Sequence, residues 1–260
     1  MQYVRLVINK KKPDADKNLK IATKILRQRG FRLSNKPDFV IALGGDGTLL
    51  SAVANYAHND MPILGVNLGG LGFLTDVKFS HFKKILDEIK KNRFRIENRM
   101  MVCAELKNAV LYALNDITIC TNTPGRVVEF SAKIDGEYIC RFVADGIIIA
   151  TPTGSTAYSL ATGGPILLPS SEAIIMTPIA PHTLSVRPIV LTPDSKIEIQ
   201  IGKKGNAIIV ADGQKSKILK TGENIKFYKA PYYVKLIKPL NSTFFQTLKE
   251  KLKWGGRENA

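Results

Sequence analysis

Apolar positions along this chain recur with two different periods, and the change near residue 97 divides it. Before that point, short apolar runs alternate with stretches of helical spacing. Residues 3–9, 38–43 (Asp38-Phe39-Val40-Ile41-Ala42-Leu43) and 62–66 (Pro62-Ile63-Leu64-Gly65-Val66) read as strands. The second, bounded by Pro37 and Gly44, reads as a buried parallel strand. A helix near 15–29 carries Leu19, Ala22, Ile25 and Leu26 on one face, with Gly30 as its C-cap. A second helix spans 48–57. A third, at 80–92, is capped by Ser80 and carries Phe82, Ile85, Leu86 and Ile89. That alternation implies a parallel sheet with helices on both faces.

After residue 97 the period shortens to two. Strands are expected at 100–107, 112–120, 127–135, 137–143 and 146–150, with Asp135-Gly136 as a tight hairpin turn. A further β stretch covers 186–237, with turns at 202–206 and at Asp212-Gly213. The tail from Asn241 reads as helical through Lys253 and frays at Gly255-Gly256. The expectation is an α/β domain over 1–96, a β-rich, layered antiparallel domain over 97–238, and a helical tail over 239–260 that packs back on the first. No linker or repeat intervenes, so the active site is expected in the cleft between the two domains.

Composition narrows the class. A 45% hydrophobic and 23% charged chain of 260 residues is ordinary for a globular protein. No apolar run approaches the ~20 residues that span a bilayer. The N-terminus opens directly on a strand, and Cys103, Cys120 and Cys140 form no Cys-x-x-Cys pair. A cytoplasmic protein with reduced cysteines and no zinc site is expected. The net charge of +16 sits on the flanks: residues 1–40 hold 11 Lys/Arg against 3 acids, whereas residues 108–195 hold 4 against 7. A lysine-rich solvated surface accounts for this, and Lys10-Lys11-Lys12 after the first strand reads equally as a solvated turn or a phosphate contact. Aromatic residues are not interleaved with the lysines as a nucleic-acid platform requires, so neither nucleic acid nor membrane is an expected partner.

The chemistry centres on Gly44-Gly45-Asp46-Gly47-Thr48, a strand-to-helix turn. Such a turn aims N–H groups and a helix N-terminus at an anion, usually a phosphate. A carboxylate there would repel polyphosphate unless it binds a metal or takes a proton from an attacking hydroxyl. Phosphoryl transfer is therefore expected, although no Walker pattern is present. Three further segments join it. Residues 69–74 form a second glycine loop after a strand. Asn115-Asp116 interrupts a strand with two polar groups able to hold a ribose. Asp145-Gly146 leads through an apolar strand to 151–159 (Thr-Pro-Thr-Gly-Ser-Thr-Ala-Tyr-Ser), read as a hydroxyl-rich helix N-cap, and on to Gly163-Gly164-Pro165.

With residues 178–188 and Asp212-Gly213, this ordered succession resembles the NAD kinase family (ATP-NAD kinases) over most of the chain. The resemblance implies transfer of the ATP γ-phosphoryl group, or that of polyphosphate, to the adenosine 2′-hydroxyl of NAD. It implies that Asp46 activates that hydroxyl and that Gly45 and Gly47 allow close backbone approach. Phe73 would border adenine, Asn115 and Asp116 would hold ribose hydroxyls, and Asp145 would contact the nicotinamide side. Thr153, Thr156, Ala157 and Tyr158 would surround adenine and ribose, with Asp212 lining the same pocket. Mg²⁺ or another divalent cation would bridge the triphosphate, with no protein metal ligand assigned. A dimer or tetramer formed through the β-rich half is also implied. Two departures stand out: Asp116 where many members have Glu, and Val143 where many have Arg.

The competing readings are weaker. A lipid or sugar kinase could share the Gly-Gly-Asp-Gly turn but leaves 151–158 unexplained. Ser80-His81-Phe82-Lys83 and Lys220-Thr221-Gly222 spell two serine-acyltransferase signatures, but the third, Ser-Asp-Asn, is missing. His58 and His81 read as surface residues and His182 as one packed near the pocket. Tyr158 could equally be a core aromatic.

Overall fold

The computed structural model describes residues 2–253 apart from 12, 71, 124, 204 and 205. Lys12 of the lysine turn, Leu71 of the second glycine loop, the middle of the 202–206 turn and the fraying at Gly255-Gly256 lie outside the described residues. The chain forms two units, Met1–Asn98 with Val234–Ala260, and Arg99–Tyr233.

The first unit opens with β1 (Tyr3–Ile8), α1 (Ala15–Gln28), β2 (Arg32–Leu33), β3 (Phe39–Leu43), α2 (Asp46–Tyr56), β4 (Ile63–Asn67), β5 (Val77–Lys78), α3 (Phe82–Lys90) and β6 (Arg95–Arg99). The second contains β7 (Val102–Leu106), β8 (Ala109–Ala113), β9 (Asp116–Thr121), β10 (Val128–Ile134), β11 (Glu137–Ala144), β12 (Gly146–Ala150), α4 (Tyr158–Ala161), β13 (Ile174–Ile179), β14 (Ile189–Leu191), β15 (Ile197–Ile201), β16 (Ala207–Ala211), β17 (Lys215–Leu219) and β18 (Asn224–Lys229). The chain then returns to the first unit with β19 (Val234–Lys238) and α5 (Phe244–Leu252).

The first sheet runs β2-β1-β3-β4-β19-β6, with β5 beside β4. The pairs β1–β2, β1–β3, β3–β4 and β4–β19 are parallel. Phe39, Ile41, Leu43, Leu64 and Val66 face α1 and α3, meeting Ala22, Leu26, Phe82, Leu86 and Ile89 in one core. On α2, Leu49, Leu50, Ala52 and Val53 are buried, and Leu49 reaches Gly65 of β4, where an added Cβ would lie 2.7 Å from Leu49 Cδ1. Every residue of β3 and β4 is therefore buried, which explains their unbroken apolar runs.

Local signals hold in part. At the end of α1, Gly30 takes φ 74°, Phe31 N–H donates to Leu26 O at 2.9 Å, and Gly30 N–H donates to Arg27 O at 3.0 Å. That pair of bonds is a Schellman motif, which a residue with a Cβ would strain. Asp135 (φ 53°) and Gly136 (φ 86°) make the expected hairpin turn. The Ser80 cap is not formed. A 3₁₀ turn, Phe79–His81, draws Ser80 inside it, and α3 starts at Phe82, with His81 one residue on as its N-cap and no side-chain cap bond. The boundary at 238 also differs. Leu236 and Ile237 pair with Ile63 and Leu64, so 234–238 extend the parallel sheet rather than the β-rich unit. An apolar strand following a β-rich stretch carries no local mark of the sheet it will join.

The second unit holds two antiparallel sheets, β11-β10-β15-β18-β7-β8 and β14-β13-β12-β9-β16-β17. Alternate residues of both, among them Val102, Ile117, Phe130, Ile147, Ile199, Ile209 and Phe227, enclose a single core. Strand β12 is buried on its second face too, where Ile148 and Ala150 pack with Ile175 and Leu167. Burial pushes the Cys103 thiol up to about 11 and raises Cys120 and Cys140, which suits packing better than nucleophilic chemistry.

Candidate active site

The Gly-Asp turn leaves β3 at its carboxyl end. Gly44 takes φ 152°, and a Cβ there would sit 2.3 Å from Thr48 Oγ1. Gly45 is the N-cap of α2, accepting Thr48 N–H at 2.9 Å. Nothing lies within 4 Å of where a Cβ would project from Gly45 or Gly47, so a ligand can come against the backbone at both. Asp46 and Gly47 open α2, where a helix leaves its first N–H groups without an acceptor of its own and its dipole favours an anion.

Asp46 itself is held by the second glycine loop. Its Oδ1 accepts from Leu74 N–H (3.1 Å), Thr75 N–H (3.0 Å) and the Thr75 hydroxyl (2.9 Å). Among the described residues its Oδ2 accepts from Phe73 N–H alone, at 2.9 Å. The Thr75 hydroxyl also accepts from Asn67 Nδ2 at 2.9 Å, which turns its proton toward Asp46. Asn67 in turn accepts Gly69 N–H at 2.7 Å, tying the loop to the end of β4. At Gly72 a Cβ would lie 2.0 Å from Asp46 Oδ1, so only glycine lets the loop close on the carboxylate.

Beside the turn lies a cavity of about 440 Å³, lined by Asn9, Asn18, Gly44, Gly45, Thr48 and Gly69 among others. It opens at the carboxyl ends of β1, β3 and β4. The sheet order reverses between β1 and β3, and open α/β sheets bind their ligands at such a point.

In the second unit, three segments meet around Asp212. Its carboxylate accepts N–H groups from Leu114 (2.8 Å), Asn115 (2.7 Å) and Asp116 (3.2 Å), while Asp212 N–H donates to Asp116 O. Thr151 ties in the third segment, donating its N–H to Asn115 O and its hydroxyl to Leu114 O. A Cβ on Gly154 would stand 2.0 Å from Asn115 O. Asp116 is buried and accepts from the Thr118 hydroxyl. Burial first and the Asp212 charge second push the Asp116 carboxyl up to about 6. Burial likewise raises Asp212 to about 6, against the lowering pull of its three N–H donors.

Comparisons with known proteins agree with this geometry. Family models match residues 6–94 as the ATP-NAD kinase N-terminal domain and residues 114–239 as the ATP-NAD kinase C-terminal domain. The chain belongs to the NAD kinase family. It is 43% identical over 228 residues to the NAD kinase of Koribacter versatilis, covering 85% of this chain and 80% of that protein. It is 45% identical over 231 residues to the NAD kinase of Caldanaerobacter subterraneus subsp. tengcongensis, covering 86% and 82%. Among solved structures, yeast NADH kinase complexed with NADH superposes with a TM-score of 0.88 at 26% identity, over 100% of this chain and 90% of that one. An NAD kinase from Archaeoglobus fulgidus in complex with ATP superposes with a TM-score of 0.79 at 29% identity, over 98% and 100%. The enzyme is thus an NAD kinase, a phosphotransferase with an alcohol acceptor.

Within this NAD kinase, Gly45, Asp46, Gly47 and Phe73 share one corner of the first unit. Asn115, Asp116, Thr153 and Asp212 cluster in the second, with Thr156, Ala157 and Tyr158 following on the same segment. Tyr158 is 47% exposed and is not a core aromatic. The hydroxyl-rich helix cap at 151–159 does not form. A 3₁₀ turn, Gly154–Thr156, precedes the four-residue α4, whose N-cap Ala157 has no side chain to cap with. Thr151, Ser155 and Ser159 instead spend their hydroxyls on Leu114 O, Pro152 O and the Thr177 hydroxyl, because their surroundings are closed to water. Asp145 lies at the opposite end of β12 from Thr151, about 20 Å along the strand, and is exposed. His182 is exposed, donating its N–H to Val143 O, and His58 and His81 are exposed as expected. Asn67, Thr75, Asp76, Arg99 and Lys238 escaped the sequence reading. Thr75-Asp76 directly extends the glycine loop and was the one signal within reach. Arg99 is 6% exposed, with Nη1 3.4 Å from Thr153 Oγ1.

Proposed function

We propose that this enzyme transfers the γ-phosphoryl group of ATP to the adenosine 2′-hydroxyl of NAD, with Asp46 as general base. The observation that supports this role is the unequal use of the two carboxylate oxygens. Each offers about two lone pairs. Among the described residues, Oδ1 takes three donors, whereas Oδ2 takes only Phe73 N–H. The free lone pair of Oδ2 is the one that accepts the hydroxyl proton. A positioned base of this kind contributes about 10²–10⁴-fold to a hydroxyl attack at neutral pH.

The cavity at the sheet's reversal point is assigned to the phosphoryl donor, with the open N–H groups at the start of α2 facing its phosphates. ATP fits that assignment, as the Archaeoglobus enzyme was solved with ATP, and a polyphosphate chain offers the same oxygens. Among the described residues, no group of three or more His, Cys, Asp or Glu is placed to hold a metal. In this reading a Mg²⁺ would be carried on the triphosphate, where it would offset phosphate charge. The dinucleotide is assigned to Asn115, Asp116 and the 153–158 segment. In this reading Asp212 acts by shaping the backbone of 114–116 around the ribose. Copies associate through the second unit, where Tyr138 and Ile139 stand 58% and 44% exposed on the edge strand β11. No helix among the described residues is long and apolar enough to cross a membrane, and a cytoplasmic location is part of the same reading.

The test pairs wild type with Asp46→Asn, supplied with Mg²⁺ and with ATP or polyphosphate against NAD or NADH. Asp46→Asn is expected to lose about 10²-fold or more in kcat while binding NAD with unchanged affinity. Ordinary turnover by that variant would end the general-base assignment.

A further inference from the structure

We propose that Lys238 is a positioning residue for Asp46, acting through a single peptide group of the 72–76 loop. The inference rests on the general-base reading of Asp46. Lys238 closes β19 and is 3% exposed, an unusual place for an ammonium group. Its Nζ donates to Leu74 O at 3.1 Å and pairs with Asp76 Oδ1 at 3.0 Å. The Leu74 carbonyl and the Thr75 N–H belong to the same planar trans peptide, so they point in opposite directions. The Thr75 N–H donates to Asp46 Oδ1 at 3.0 Å. Lys238 and Asp46 therefore grip one peptide from its two sides.

That arrangement does two things. It fixes the plane of the amide that orients the carboxylate. It also polarises that amide, since a charge-assisted bond at the carbonyl strengthens the N–H as a donor. Lys238 is itself held firmly. The β19–β4 ladder lies on one side, and on the other Arg95 donates to the carbonyls of Pro239, Leu240 and Ser242. A buried ion pair is a poor way to gain stability, because apolar residues of similar size usually do as well. Fold stability alone therefore gives little reason to bury this lysine, whereas holding Asp46 does.

The experiment compares Lys238→Met, Lys238→Arg and the double variant Lys238→Met/Asp76→Leu, which removes both charges and keeps the site filled. Lys238→Met is expected to lower kcat about 10- to 100-fold while the calorimetric Kd for NAD changes less than about twofold. Lys238→Arg is expected to recover part of that loss. Should Lys238→Met not fold, the double variant decides. A kcat within about twofold of wild type in a folded Lys238→Met or double variant overturns the proposal, leaving the lysine a mere counter-ion. Asp46→Asn assayed alongside separates the two ideas. If it is inactive while the Lys238 variants are normal, only the positioning inference fails. If it is active, the base assignment fails.

Discussion

Asp46 in the first unit and the Asp116–Asp212 pair in the second are all carboxylates at the ends of apolar strands, yet their surroundings differ in kind. Asp46 faces four donors from one short loop and no acidic neighbour among its hydrogen-bond partners. Asp116 is buried and Asp212 half-buried close to it; three N–H groups donate to Asp212, and both carboxyls are pushed up to about 6. The first environment orients a charge and, among the described residues, leaves one lone pair open. The second makes charge costly and uses it to hold backbone. A residue type therefore says little about its role until its donors are counted.

The sharpest way to break the contrast is to disturb the loop around Asp46. Gly72→Ala puts a methyl group 2.0 Å from Oδ1, so either the loop or the carboxylate must shift. We expect kcat to fall about 10²-fold with NAD affinity little changed. A fully active Gly72→Ala enzyme would show that Asp46 needs no such close support.

In the second unit, Asp212→Ala leaves the N–H groups of Leu114, Asn115 and Asp116 without their acceptor. Each unsatisfied donor costs about 1–3 kcal/mol, offset in part by water and by the loss of a buried charge. Denaturant titration is expected to show a net loss of about 3 kcal/mol, with a raised KM for NAD. Unchanged stability would mean that the 114–116 turn holds itself.

The smallest effect concerns pH. The Asp116 carboxyl is raised from 3.8 to about 6 in the folded protein. Between those values the native state binds more protons than the unfolded chain, so its contribution to stability is full below 3.8 and declines as pH rises to about 6. Asp116→Asn is expected to flatten that decline, gaining at most about 2 kcal/mol at neutral pH relative to pH 4. An equally steep pH dependence in the variant would place the titrating charge elsewhere.

How far the sequence reached follows from what each signal encodes. The 39–43 run, the turn at Gly44 and the helical spacing after it lie within about fifteen residues of one another, and together they foretold a strand-to-helix turn with a carboxylate. Gly30 announced its cap because positive φ is a local property. Ser80 misled because a 3₁₀ turn and a helix start present the same residues in sequence. The hydroxyls of 151–159 misled for another reason. A hydroxyl serves a ligand or the fold according to what lies opposite, and Leu114 O and Thr177 are far away in the chain.

Alternation and helical period thus set by themselves the order of elements, the faces they bury and the two glycine loops of the first unit. Tertiary structure alone decided that β19 completes the parallel sheet, that Asp212 gathers residues nearly a hundred positions away, and that Lys238 reaches the peptide holding Asp46. Periodicity records which side of an element avoids water. The partner met there depends on chain closure and packing across the whole unit, and no local pattern carries that information. The Gly-Asp turn is legible from its own five residues, whereas the grip on its carboxylate is assembled from segments more than 160 residues apart.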